Sequence, residues 1–138
     1  MKKYRRQSGA ILIATLFTAL LMAVFIIGFI GLTAVDLNVS TNTVESQQAY
    51  YVAEAGVADA LAQMRQSGPL ANSSWTTTFP SGSSDQYTVT VSNSSGLIES
   101  VGQTSPLAFT RALEVSVSVS GSSAPYGVSI QEWKEVGP

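Results

Sequence analysis

Side chains able to carry out chemistry are scarce in this chain of 138 residues. It contains no cysteine and no histidine. It therefore offers no thiol nucleophile, no thiolate metal site, no disulfide and no imidazole base. Glu54 and Asp59 invite reading as an acid–base pair. A spacing of five sets them on different faces of a helix, with no base or metal ligand to complete a site, so both read as solvating residues. Tyr50 and Tyr51 read as core and sheet-contact residues, not as a stacking or cofactor site. Nine acidic residues face seven basic ones, a net charge of −2. Four of those basic residues (Lys2, Lys3, Arg5, Arg6) lie in the first six positions, which leaves no basic face for phosphate, and nucleic-acid contact is not expected. The residues support no enzyme, no cofactor and no metal.

The chemistry that remains is that of a membrane boundary. The cationic start ends at Gly9, and no charge follows from Ala10 to Val35, a run of 26 residues closed by Asp36. A secretory signal core is about 7–15 residues followed by a small-residue cleavage site. Here the run is long enough, at about 1.5 Å per residue, to cross a hydrocarbon core of about 30 Å. An ordinary signal cut after Ala34 would set Leu32 where a small residue is needed. The run is therefore read as a retained membrane helix with its basic end in the cytoplasm and everything after Asp36 beyond the membrane.

The elements that extend this helix follow from periodicity. No proline interrupts Leu37 to Gln66, and Tyr50, Ala53, Val57, Leu61 and Met64 recur at spacings of three or four. Gln47, Glu54, Asp59 and Gln63 occupy the remaining positions, so residues 37–66 form an amphipathic continuation. Ser67-Gly68-Pro69 supplies its stop. One helix over about residues 10–66 is predicted. Asn38, Ser40, Thr41, Asn42 and Thr43 are indifferent or poor helix formers, and a break into two helices near 37–46 is the alternative. Residues 67–85 read as a Ser/Thr/Gly/Pro-rich surface connection anchored by Trp75 and Phe79. About four strands then follow. Tyr87, Val89 and Val91 alternate with polar residues, Asn93 to Gly96 is turn chemistry, and Leu97 to Val101 resumes as a partner. Leu113 to Val119 alternates most cleanly, and Tyr126, Val128 and Ile130 alternate until the phase slips near Gln131-Glu132, where a bulge is expected and Trp133 and Val136 take over. Trp133 reads as a lid over the sheet. The predicted class is α+β: a long N-terminal helix with a small antiparallel sheet, spanning 67–138, packed on its second half.

The leader Lys2 to Gly9, the opening Ala10-Ile11-Leu12-Ile13 and the segment Gln48-Ala49-Tyr50-Tyr51-Val52-Ala53-Glu54-Ala55-Gly56 resemble type IV pilin-like proteins, the last segment looking like PilX-type minor pilins. The resemblance covers residues 1–66. It implies a leader peptide over 1–9, cut by a prepilin peptidase between Gly9 and Ala10, and N-methylation of Ala10. The mature chain would retain three basic residues against nine acids, a net charge of −6. The pattern departs at Ala14, where most such proteins carry a Glu that pairs with a neighbour's amine, and at Ala10, where Phe is usual. A subunit with nothing preceding it needs no such Glu, which favours a minor or tip-associated role.

Small residues recur at four-residue spacing on two lines of the apolar run: Ala10, Ala14 and Thr18, and Thr15, Ala19 and Ala23. Such lines let helix backbones approach closely in lipid. Gly28 and Gly31 mark where the resemblance implies local helix unwinding on assembly, the alternative being close packing. Gly56 reads as permitting close approach of sheet to helix. Asn38-Val39-Ser40 and Asn72-Ser73-Ser74 match the glycosylation pattern at a frequency expected by chance in a Ser-rich chain.

The function expected is that of a structural subunit of a type IV pilus or a related type II secretion pseudopilus. Its partners would be other pilin subunits, prepilin peptidase, the inner-membrane assembly machinery and the lipid bilayer. It would reside in a bacterial inner membrane and then in the filament. The alternative is a single-pass anchored binding protein, extracytoplasmic in its C-terminal part, that never assembles.

Overall fold

The computed structural model describes residues 4–106 and 109–137, with side chains from Gly9 onward. Lys2 and Lys3 of the cationic leader lie outside the described residues. The fold is α+β: helix α1 (Tyr4–Ser67) and five strands, β1 (Ser73–Thr78), β2 (Gln86–Ser92), β3 (Leu97–Gln103), β4 (Thr110–Ser120) and β5 (Gly127–Val136). The chain divides into two compact units, one up to Thr41 and one from Asn42 onward.

Up to Thr41 the chain is helix alone. The poor helix formers at 38–43 do not break it: residues 37–46 are helical throughout. Part of the reason is visible at Thr41, whose hydroxyl donates to the Leu37 carbonyl at 2.9 Å instead of competing with the ladder. The helix ends as its sequence implies. Gly68, at φ +78°, donates its N–H to the Met64 carbonyl at 2.8 Å, a left-handed cap that a residue with a Cβ adopts poorly.

From Asn42 onward a five-stranded antiparallel meander in the order β1-β2-β3-β4-β5 packs on the helix. Tyr87, Val89 and Val91 of β2, Ile98 of β3, and Leu113, Val115 and Val117 of β4 form the buried face. The helix meets them with Ala49, Val52, Ala53, Gly56, Val57, Ala60 and Met64, all buried. This stripe is rotated from the expected one. Ala53, Gly56, Val57 and Met64 are in it, while Tyr50 and Leu61 are half-buried on its flanks. Tyr51 is 64% exposed and is not a core residue. The stripe is rich in Ala and Gly because the sheet comes close. A Cβ on Gly56 would overlap Ser100 Oγ and lie 2.8 Å from Tyr87 Cδ2, so the close-approach reading of that glycine holds. The matching glycine on the sheet is Gly102, where a Cβ would overlap the backbone of Ala49 and Ala53.

Two readings of the strands need correction. Residues 73–78 are not a surface connection but strand β1, paired with β2 over six residues from Ser73↔Val91 to Thr78↔Gln86. Its run of Ser and Thr hides the period-two signal, since only Trp75 is large. The bulge does occur in β5: Ser116 pairs with Glu132 and Val117 with Ile130, leaving Gln131 as the extra residue. Its effect differs from the expected one. Trp133, opposite Val115, stays on the same face as Ile130, opposite Val117, while Val136, opposite Ala112, points to the other face. Trp133 is 38% exposed, so it flanks the core and does not close it.

Candidate membrane and assembly segment

The apolar half of α1 has a composition that water does not favour. From Gly9 to Val35 every residue is exposed, including Phe17, Phe25, Ile27 and Phe29 at 63–75%. A helix apolar on all sides requires an apolar surround. By length and hydropathy it is sufficient to cross a membrane, and it lies near the N-terminus.

Its few polar groups are satisfied within the helix. Thr15 donates to the Leu12 carbonyl at 2.9 Å, Thr18 to Ala14 at 3.1 Å and Thr15 at 3.0 Å, and Thr33 to Phe29 at 3.0 Å. Each hydroxyl can therefore enter hydrocarbon without an orphaned donor, the condition lipid imposes on any spanning segment. These bonds also turn the threonines inward along the helix, which keeps the two small-residue lines shallow: Ala10, Ala14, Thr18 and Thr15, Ala19, Ala23. The helix is regular through Gly28 and Gly31, and no atom lies within 4 Å of a Cβ built on either, or on Gly9. Unwinding at those glycines is therefore absent from the lone chain, and no neighbour in it requires their small size.

From Asn42 onward, a polar node ties the helix to the sheet. Asp59 accepts hydrogen bonds from Trp75 Nε1 at 2.9 Å, Tyr87 Oη at 3.0 Å and Gln63 Nε2 at 3.2 Å. Partial burial raises the pKa of this carboxyl, but the three donors outweigh it and hold it below its ordinary value. Burial, and secondarily the Asp59 charge, push the Tyr87 phenol up. Asp59 thus does more than solvate its helix face, while Glu54 is exposed and takes no part. Sequence spacing could not show this, because two of the three donors come from strands.

Two further clamps escaped the sequence reading. Asp85, 4% exposed, accepts from Gln48 of the helix and from the Ser105 N–H at 2.9 Å. Arg111 donates to Ser46 Oγ from Nε and Nη2 at 2.9 and 2.6 Å, and to Glu135 Oε1 at 2.9 Å. All these groups have structural partners, and among the described residues no three acidic side chains gather closely enough to hold a metal ion.

The sheet unit has an open apolar groove of about 300 Å³ lined by Val44, Gln47, Gln48, Tyr51, Val52, Phe79 and Pro80. Tyr51 left the core to form one wall, and Phe79, 44% exposed, forms the other. The groove contains no charged residue and no candidate nucleophile.

Compared with protein-family models, with curated proteins and with solved structures, the chain matches none of them.

Proposed function

We propose that this chain is a pilin-like structural subunit, processed at Gly9–Ala10 and assembled through its apolar half-helix into a type IV pilus or related pseudopilus, in a minor or tip-associated place. The observation that supports the reading most is the abrupt junction of a cationic leader with 26 uncharged, exposed helical residues that lead into a helix carrying its own folded sheet. While the leader is attached, its charges hold the start of the helix at the cytoplasmic face. Once it is removed, the only charge left near the membrane's cytoplasmic edge is the new amine, and the helix is free to leave the bilayer for a neighbour's apolar surface. Ala14 fits a subunit with no preceding neighbour, because a Glu there would need a partner amine.

Intact-mass measurement of the membrane-extracted protein tests this reading. The expected product begins at Ala10 and carries an added methyl group, and Gly9→Val should abolish the cut because a branched side chain obstructs the scissile position. A chain that keeps Lys2 to Arg6 in wild-type cells would overturn the proposal and identify a fixed anchor.

A further inference from the structure

Among the described residues, two buried side-chain oxygens have no hydrogen-bond partner: Glu45 Oε2 and Thr104 Oγ1. Register brings both to the same end of the helix–sheet interface. Ser100 Oγ donates to the Ala53 carbonyl at 2.7 Å, and a Cβ on Gly102 would overlap the backbone of Ala49 and Ala53. A step of two residues along β3 thus runs back along α1 by about one turn. Thr104, 2% exposed and on the same face as Ser100 and Gly102, falls at the level one turn before Ala49, where Glu45 stands.

Asp85 occupies that level too. It accepts from Gln48, one helical turn from Glu45, and from the N–H of Ser105, the residue after Thr104. It is 4% exposed and both donors are neutral. Arg111 is committed to Ser46 and Glu135, and among the described residues neither Glu45 nor Asp85 has an ion-pair partner. Two carboxylates therefore share this end with no opposite charge to offset them. The Thr104 hydroxyl is able to donate to a carboxylate, yet it meets neither. A donor and an acceptor left unpaired at one level imply a third body that both address. A polar cleft of about 240 Å³, lined by Ser84, Gln86, Gln103, Thr104, Ser105 and Pro106, opens this end to solvent.

We propose that Glu45, Asp85 and Thr104 bind a hard divalent cation of calcium size. Such an ion takes about 6–8 oxygen ligands in flexible geometry, drawn from carboxylates, neutral oxygens and water, whereas magnesium demands a near-ideal octahedron. The Asp85 carboxylate offers about four lone-pair sites, and its two donors leave the others free. Water admitted by the cleft completes the shell. The ion ties the helix to the segment before β2 and to the end of β3, so it stabilises the sheet unit as its concentration rises. All three residues lie in the unit from Asn42 onward, and the site depends neither on leader cleavage nor on assembly.

The test is urea unfolding and amide hydrogen exchange of the full chain in zwitterionic detergent micelles. Metal is stripped with EDTA, and calcium chloride is then titrated from about 10 μM to about 10 mM. The expected result is a saturable rise in the unfolding midpoint, with exchange slowed around Glu45, Asp85 and Thr104 and unchanged in Gly127–Val136. Glu45→Gln should weaken the calcium response by at least about tenfold, because it removes one of the two charges. Thr104→Val should unfold without calcium at no lower urea than wild type, since it deletes an unpaired buried hydroxyl, and should lose most of the calcium gain. Glu54→Gln, at an exposed position, should keep that gain and exclude diffuse binding to acidic surface. A wild type indifferent to calcium would overturn the proposal and leave an ordered water as the third body. An equal response in Glu45→Gln, or protection confined to other segments, would overturn it too. The exchange map is read on the wild type and needs no variant to fold.

Discussion

Removing the Asp59 carboxylate should loosen the sheet from the helix by an amount that the structure bounds. Its three donors differ in what happens when it is gone. Tyr87 is 5% exposed and its hydroxyl loses its partner in a partly buried site, at a cost of about 1–3 kcal/mol. Trp75 and Gln63 are only half-buried, so water replaces most of what they lose, and about 0.5 kcal/mol covers each. Asp59→Ala should therefore cost about 2–4 kcal/mol and Asp59→Asn about 1 kcal/mol, since the amide oxygen still accepts from Trp75 or Tyr87. Tyr87→Phe alone should cost about 1 kcal/mol and be nearly silent in the Asp59→Ala background, a coupling of at least about 0.5 kcal/mol. The pH dependence has a definite sign. The folded carboxyl titrates below its unfolded value, so its stabilisation is complete above the unfolded pKa of about 3.9 and disappears as pH falls through the lower folded pKa. Between pH 5 and pH 3 the wild type should lose more stability than Asp59→Asn. The assay is urea unfolding of the full chain in micelles, followed by tryptophan emission. Independent effects of Asp59→Ala and Tyr87→Phe, or identical acid profiles for wild type and Asp59→Asn, would refute the node.

Other perturbations separate close packing from exposure. Gly102→Ala should destabilise by about 1–3 kcal/mol, because its methyl meets the helix backbone at Ala49 and Ala53; Gly56→Ala should cost less, since it meets side chains and gains helix propensity. Val57→Ala, fully buried, should cost about 1–3 kcal/mol, and Leu61→Ala, half-buried, no more than that despite its larger truncation; both are read from the same unfolding curves. Ala14→Glu should bring no gain in the amount recovered in sheared filaments and should cost about 2–3 kcal/mol of insertion if the charge lies deep in the bilayer. More mutant than wild type in the filament fraction would contradict the tip-associated place.

The sequence by itself determined the membrane-length helix, its Gly68 stop, and strands β2 to β4, because each rests on a short-range pattern: an uncharged run, a glycine before a proline, and alternation of Val with Ser or Thr. It also located the β5 irregularity, since one extra residue is visible as a phase slip at Gln131. It could not show β1, whose Ser and Thr side chains carry no hydrophobic period and become a strand only because β2 supplies backbone partners. Nor could it orient the helix. Counting apolar residues favoured Tyr50 and Leu61, but the sheet approaches so closely that Ala49, Ala53, Gly56 and Ala60 hold the centre of the interface and larger side chains are displaced to its flanks. Asp59 shows the same limit. A carboxylate on a helix reads as solvated until Trp75 and Tyr87 arrive from positions 16 and 28 residues away, and which donors converge on it is fixed by strand register, a property of the tertiary structure alone.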